Sequence, residues 1–369
     1  MPHAQSKQLL AVLSELKNAV EDLLLAGLTA ASQSTIQRLD VTFKEASRLK
    51  LLRLGGNLRI ANEEISRFTA GSQQFSAQRL AFFLGRTWIL ANGMQRAIAE
   101  DDDALLDRLM LTPQAKPVKK LSVVTLGVSK RVVPGAFATF EFRMRAAEDA
   151  PDVKKGKPLI WSCVFPMRKD LDLPAEAFLH LPQKQKFRPS VLLDRKVIHI
   201  DRCLLTGDGG SAMRILLDDA SEVTPGEGFT GWKSLWTWDA KAALARLGQH
   251  RPTPLDVDVE LQEEVFLDKW QPGEKRSSDE GYDELPLESG GLIFEARLDR
   301  GVSGNPLHGT MLKLAKNKHR PPLFGVAHYE SCKLAMQPLS VLGKNGVEYL
   351  TVSPDKISQA ALVKAMKFT

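Results

Sequence analysis

The chain is short of the residues that most often give a function away. Its 369 residues include three cysteines, Cys163, Cys203 and Cys332. They are odd in number and far apart, which excludes a disulfide framework and the paired spacings of zinc or dithiol sites. Each lies in an apolar or strand-like run, as a buried reduced thiol does. There is no G-x-x-x-x-G-K-[ST], no H-E-x-x-H and no G-x-S-x-G. The phosphate-loop, zincin and α/β-hydrolase readings therefore have no anchor. Gly207-Asp208-Gly209-Gly210 follows no strand-to-helix crossover and reads as a turn. No apolar run approaches the ~20 residues of a membrane span. No Asn-x-Ser/Thr sequon occurs, and MPHAQSKQLL lacks a charged-then-apolar leader pattern. A cytoplasmic location is expected. No fixed-period repeat is found.

What is present is ordinary for a globular chain: 43% hydrophobic and 25% charged residues, with a formal charge of +6. The length suggests two or three domains. Leu9, Leu13, Leu16, Val20 and Leu23 fall at 4-3-4-3 spacing, one apolar stripe on a helix. Ser34 and Gln37 form a capping-box pattern for a second helix, expected to stop at Gly55-Gly56. Asn57 starts a third. A fourth runs from Ser76 to Ala99, and a short fifth follows Asp101–Asp103. Short connections between such helices make a bundle, placed at residues 1–112.

Pro113 and Pro117, among Lys116, Lys119 and Lys120, read as a linker, after which the period changes to two. Phe140, Phe142 and Met144 alternate with charged residues, as a half-buried strand does. Leu292, Phe294, Ala296 and Leu298 alternate in the same way. Further strands are expected at 121–133, 158–166, 190–205, 255–267, 310–314, 322–329 and 347–352. Asn345-Gly346 is the strongest hairpin signal. One helix is expected at 234–247 and another at the C-terminus, capped by Ser353. Residues 271–291 are rich in Gly, Ser, Pro and acid and read as a mobile loop. The expected class is α+β: an N-terminal helical bundle, then a predominantly antiparallel β-rich region at 121–369 with one inserted helix and a C-terminal helix.

Several features carry chemistry, each with a plainer structural alternative. Between residues 44 and 96, nine cations (among them Lys44, Arg48, Lys50, Arg53, Arg59 and Arg67) face three glutamates. That excess equals the charge of the whole chain. The planar arginine fork suits phosphate or carboxylate, so an anionic partner is the functional reading; solvated helix faces are the alternative. Lys184, Lys186 and Arg188 alternate with other residues in a segment before a strand, either a basic reaching loop or a solvated connection. Asp256, Asp258 and Glu260 share one strand face and form the only candidate metal cluster, for metal-assisted phosphodiester hydrolysis. The alternative is the wet side of an amphipathic strand. His199 and Asp201 share a face two residues apart, with no nucleophile placed beside them. Trp232, Trp236 and Trp238 form a cluster that fits core packing better than a ligand groove.

Two phrases, LLRLGGNLRIANEEISRF at 51–68 and PAEAFLHLPQKQKFRPSVLLDRKVI at 174–198, resemble uncharacterised bacterial proteins encoded beside a MoxR-type AAA+ ATPase, a von Willebrand A-domain protein and a SWIM zinc-finger protein. The resemblance spans about 10–270 and supplies no catalytic residues. The chain lacks the Cys-x-Cys…Cys-x-His pattern of the SWIM finger. The resemblance implies a non-enzymatic adaptor subunit with other protein subunits as partners and no cofactor. Nucleic-acid binding through the basic helices is the alternative, and a metal-dependent nuclease a further one.

Overall fold

In a computed structural model, the structure describes residues 3–30, 33–72, 75–110, 115–133, 137–167, 174–183, 187–207, 212–235, 238–250, 262–279, 281–300, 306–330, 333–343 and 346–352. These fall into two compact units, one helical and one built on strands. The chain is α+β.

The helical unit comprises α1 (His3–Ala30), α2 (Gln33–Arg48), α3 (Leu52–Thr69), α4 (Ala77–Ala99) and α5 (Asp103–Met110). The stripe Leu9, Leu13, Leu16, Val20 and Leu23 is buried along its whole length. It meets Leu39 of α2, Leu54, Leu58 and Ile65 of α3, and Leu84 and Met94 of α4 in one core. Ser76 caps α4 by accepting from the Arg79 N–H, and Asp102 accepts from the Leu105 N–H at the start of α5. Gly55-Gly56 does not stop a helix. The chain breaks instead at Lys50, whose φ is 57°, and α3 runs through both glycines. Tertiary burial of Leu54 and Leu58 outweighs the ~1 kcal/mol helix penalty of each glycine. The Ser34 capping box lies among side chains outside those described.

The second unit begins with a strand of 18 residues, β1 (Lys116–Val133). The stretch read as a linker is thus partly its first turn of sheet. It is followed by β2 (Phe137–Ala146), β3 (Pro158–Pro166), β4 (Lys196–Thr206), β5 (Met213–Leu216) and β6 (Glu222–Gly228). The first half of β1 pairs antiparallel with β4 and its second half with β2. β2 pairs with β3, β3 runs parallel to β5, and β5 pairs with β4. The path β1-β2-β3-β5-β4 returns to β1, closing a five-stranded barrel with β6 on its outside. Two 3-10 segments between β3 and β4, Ala175–His180 and Pro189–Leu193, plug one end. Phe178 stacks on Phe165 at 5.6 Å and Phe187 packs on Trp161 at 5.5 Å. Lys130 points inward at that end and meets Glu176 of the plug at 2.6 Å, both buried.

The rest repeats this plan. After α6 (Ala240–Gln249) come β7 (Glu263–Leu267), β8 (Gln271–Pro272), β9 (Arg276–Ser277), β10 (Tyr282–Ser289), β11 (Leu292–Asp299), α7 (Leu307–Lys316), β12 (Leu323–Glu330), β13 (Lys333–Gly343) and β14 (Gly346–Tyr349). β10 and β11 form a hairpin, β11 runs parallel to β13, and β13 pairs with β12. β12 pairs with β7 and β10 with β8. Because β7 and β8 follow one another in the chain, they act as one bent first strand, and α7 takes the place of the plug. Leu307 and Met311, one helical turn apart, are its buried residues.

Four expectations are corrected here. Residues 271–291 are not a mobile loop but β8, β9 and β10: Leu285 and Leu287 face inward with Asp283, whose charge is answered locally. Residues 310–314 belong to a helix, not a strand, because Leu307 and Met311 are buried at helical spacing. The inserted helix begins at Ala240, capped by Asp239, rather than at 234. It is also not the only one, since α7 is inserted as well. β13 and β14 pair antiparallel as far as Gly343 and Gly346, with Gly346 at φ 101°; Asn345 lies outside the described residues. The proposed C-terminal helix lies outside the described residues.

The two barrels share a contact. The β1 register shifts between Thr125 and Gly127, and there the Leu126, Thr125 and Val128 carbonyls accept from the Ser340, Tyr349 and Thr351 hydroxyls. A Cβ at Gly127 would sit 2.6 Å from the Phe324 ring and 2.9 Å from Leu339. Gly127→Ala is expected to overpack this contact and cost about 1–3 kcal/mol. The check is a lower urea midpoint at unchanged slope; an unchanged midpoint would show that Phe324 moves aside freely.

Candidate nucleic-acid interface

The cations singled out in the bundle are mostly engaged. Lys44 pairs with Asp40 at 2.6 Å and Arg48 with Glu45 at 2.7 Å, each within one helical turn. Arg67 of α3 and Arg79 of α4 both bind Glu64, which is fully buried. Burial alone would push that carboxyl up; the Ser76 N–H, Arg67 and Arg79 together hold it below its ordinary value. Arg53 donates to the Arg108 carbonyl at 3.5 Å. Arg59 lines a groove of about 390 Å³ between α2 and α3 with Asp40, Phe43, Asn62, Glu63 and Arg67. Lys50 is exposed at the α2–α3 break. Lys44, Arg48, Arg67 and Arg79 are thus spent largely on acids of the bundle itself.

Lys184, Lys186, Asp256, Asp258, Glu260 and Trp236 lie outside the described residues. Arg188 is exposed beside the plug. Near it, Leu179 and Phe187 are buried in the barrel end. His180 is held below its ordinary value by burial, then by Arg188, against an opposing pull from Asp194. Among the described residues, no group of three His, Cys, Asp or Glu could hold a metal ion. Burial pushes Cys163 up to about 12 and Cys203 up to about 11, which removes the thiolate at neutral pH. Trp232 packs on Phe266 and Trp238 on Phe294, inside the fold.

His199 does not pair with Asp201. Its Nδ1 lies 3.0 Å from the Ser122 Oγ on the neighbouring strand, and Ser122 also bonds Glu148. A serine has one proton. If Ser122 donates to Glu148, it accepts from His199, so the imidazole is not poised to take the serine proton. Gly226 admits the ring; a Cβ there would lie 2.5 Å from Nε2. The arrangement ties β1, β4 and β6 together and lacks the order of a nucleophile and its base.

The first barrel leaves one sheet face open. Cross-strand register aligns three rows over β1, β2 and β3: Val133–Phe137–Pro166, Arg131–Thr139–Val164 and Ser129–Glu141–Ser162. Their neighbours Val128, Phe140 and Phe165 point into the core, so these nine point out. Arg131 and Ser162 are exposed, Phe137 is half-exposed, and Val164 is 62% exposed. The one acid, Glu141, is bound by Arg143 at 2.6 Å, and Arg214 stands 3.7 Å away. The result is an aromatic ring, a cation and small polar groups on one sheet face.

The equivalent face of the second barrel is different. Arg276 binds Glu295 at 2.6 Å and approaches Glu284 at 3.6 Å, and Lys333 stands 3.9 Å from Glu284. The Arg297 guanidinium covers the Tyr282 ring at 5.2 Å. Charges there are cancelled and the aromatic surface is occupied. Sequence alternation could mark these positions as outward, but only the barrel register assembles the rows.

No protein-family model matches the chain, and no curated protein matches it. Among solved structures, it is similar to p202 HIN1 in complex with 12-mer dsDNA, at 8% identity over 61% of this chain and 90% of that one, with a TM-score of 0.29. It is also similar to the tetrameric p202 HIN2, at 8% identity over 64% and 95%, with a TM-score of 0.25. A single-stranded DNA binding protein from Thermus aquaticus follows, at 11% identity over 67% and 98%, with a TM-score of 0.15. Likeness at this level carries no argument about what this chain does. Among the described residues, no helix is long and apolar enough to cross a membrane.

Proposed function

We propose that this chain binds single-stranded nucleic acid across the β1–β2–β3 face of its first barrel. The observation that supports it is the barrel itself. A five-stranded Greek-key barrel with a parallel contact between its third and fifth strands is the OB arrangement, whose outer β2–β3 face commonly receives oligonucleotides or oligosaccharides. Fold alone does not assign function, so the face chemistry has to agree, and it does. Phe137 offers a half-exposed aromatic ring for stacking, Thr139 and Ser162 offer hydroxyls, and Arg131 offers one phosphate contact. Among the described residues, the equivalent face of the second barrel has its charges paired and Arg297 over its Tyr282 ring.

The chemistry also sets the character of binding. With one exposed cation in the rows, stacking should outweigh charge. In fluorescence anisotropy with a labelled single-stranded oligonucleotide, Phe137→Ala should weaken binding by about 1–3 kcal/mol. Arg131→Ala should weaken it less and reduce the slope of log K against log salt by about 0.7, one phosphate on a single strand. A duplex of the same sequence should bind more weakly, because its bases are not free to stack. Equal affinity for duplex and single strand, or indifference to both substitutions, would sink the proposal.

A further inference from the structure

One residue of the open barrel face runs against the use of that face for an anion. Glu141 stands in the row Ser129–Glu141–Ser162, where its carboxylate repels the phosphates that Arg131 attracts. It is held there from outside the three rows. Arg143, two residues further along β2, donates to Oε1 of Glu141 at 2.6 Å. Arg143 is itself buried and fixed by Gln262 at 2.9 Å and Glu264 at 3.3 Å, at the start of the second barrel. The other oxygen, Oε2, is not used in this way. Arg214 of β5 stands 3.7 Å from it, beyond hydrogen-bond reach, and the Glu141 side chain stays 22% exposed. Among the described residues, Oε2 has no hydrogen-bond donor. Balancing the charge of Arg143 thus accounts for one oxygen of Glu141 and leaves the second over.

The neighbours of Oε2 decide what it can do. The hydroxyls of Ser129, Thr139 and Ser162 rotate, so each donates or accepts as a base requires and selects none. A carboxylate only accepts. Four residues along β2 separate Phe137 from Glu141, about 13 Å on the same side of the sheet. A strand stacked on Phe137 therefore brings a later base to Glu141, while the same negative charge keeps its phosphates turned away.

We propose that Glu141 is a specificity residue of the single-strand face assigned above, on which this choice of bases rests, and that it favours a base with an exocyclic amino group over thymine or uracil. The amino groups of cytosine and adenine donate to Oε2, as cytosine N4 does to glutamate in direct readout. Thymine and uracil carry O2 and O4 on either side of their one N3–H. The carboxylate then meets two acceptors for a single donor.

The test is fluorescence anisotropy of the full chain with labelled oligodeoxycytidylate and oligodeoxythymidylate of one short length. Both bases are pyrimidines of similar stacking area, so their difference reports hydrogen bonding. The native chain should bind the cytidylate about tenfold more tightly. Glu141→Gln places an amide that donates as well as accepts. It should bring the two affinities within about twofold, with the thymidylate bound no more weakly than before. Glu141→Asp keeps the charge beside Arg143 but draws the oxygen back by one methylene. It should also lose most of the preference, at an unchanged urea midpoint. Phe137→Ala should weaken both oligonucleotides and leave their ratio at about tenfold, which separates stacking from readout. Equal affinities in the native chain, or a ratio that survives both Glu141 variants, would overturn the inference and leave the face reading standing. So would equal weakening of both oligonucleotides by Glu141→Gln at a lower urea midpoint, the pattern of a group that only balances Arg143. Failure of both oligonucleotides to bind would remove the face reading and the role of Glu141 with it.

Discussion

Replacing Glu264 by alanine is expected to destabilise the barrel unit by about 3–5 kcal/mol, more than any other single change proposed here. Arg143 and Arg145 lie on the outer side of β2, where the second barrel covers them, and both are buried. Glu264 of β7 answers both: it stands 3.3 Å from Arg143 and binds Arg145 directly. Arg143 also has Glu141 at 2.6 Å and Gln262 at 2.9 Å. Arg145 has the Met144 carbonyl at 3.0 Å and lies over the Phe324 ring. Burial pushes the Arg145 guanidinium down, and Glu264 opposes that pull. Without the carboxylate, the buried guanidinium loses the charge that opposes the cost of its burial. Urea unfolding followed by tryptophan fluorescence reports on this unit, because five of the six tryptophans lie after residue 114. A second variant keeps the interpretation firm. Arg145→Met with Glu264→Leu replaces the pair by apolar groups and should recover most of the loss. A Glu264→Ala cost below about 1 kcal/mol would mean that water reaches the pair.

Glu64→Ala should cost the helical unit about 3 kcal/mol, the low end of the range for a broken buried pair. The low end applies because Arg67 and Arg79, 33% and 45% exposed, can turn to water once released. What cannot turn is the Ser76 N–H, which donates to Glu64 at 2.8 Å at the entry to α4. The carboxyl is held below its ordinary 4.5. A depressed carboxyl contributes stability that is fully present above the unfolded value and lost as pH falls through the folded one. The stability difference between the native chain and Glu64→Gln should therefore be constant above about pH 5 and shrink below it. Helical circular dichroism in urea, measured at several pH values, tests this. A difference that grows on acidification would show that Glu64 is protonated in the folded bundle.

These two sites show how far residues alone could be read. Glu64 stood in the sequence as one of three acids among nine cations, counted as a minor offset. Its role depends on burial and on Arg79 fifteen residues later, which no spacing rule connects to it. Arg67 looked like a free anion-binding group for the same reason. Glu264 and Arg145 are more than a hundred residues apart, and their meeting is a property of barrel packing. Residues 271–291 misled because Pro286, the glycines and the acids are loop-like locally, while Asp283 is held inside by Lys275 at 2.8 Å and His308 at 2.9 Å. Once charge is answered in that way, composition no longer predicts disorder.

Local periodicity by itself determined a good deal. The 3.6-residue stripes of α1 and α4, the two-residue alternation of β2 and β11 and the change of period after Pro113 gave a helical unit followed by a β-rich one. These follow from neighbours within a turn or along a strand, where one face must be apolar to be buried. The rest was decided by tertiary structure alone. Closure of β1 onto β4, the parallel contacts of β3 with β5 and of β11 with β13, and the doubling of the barrel all join segments far apart in sequence. So do the three outward rows of β1, β2 and β3, and the meeting of Arg67 and Arg79 on Glu64. Hydrogen bonds between strands are indifferent to side-chain identity, so a strand's residues show which face is inward but not which neighbour it will take.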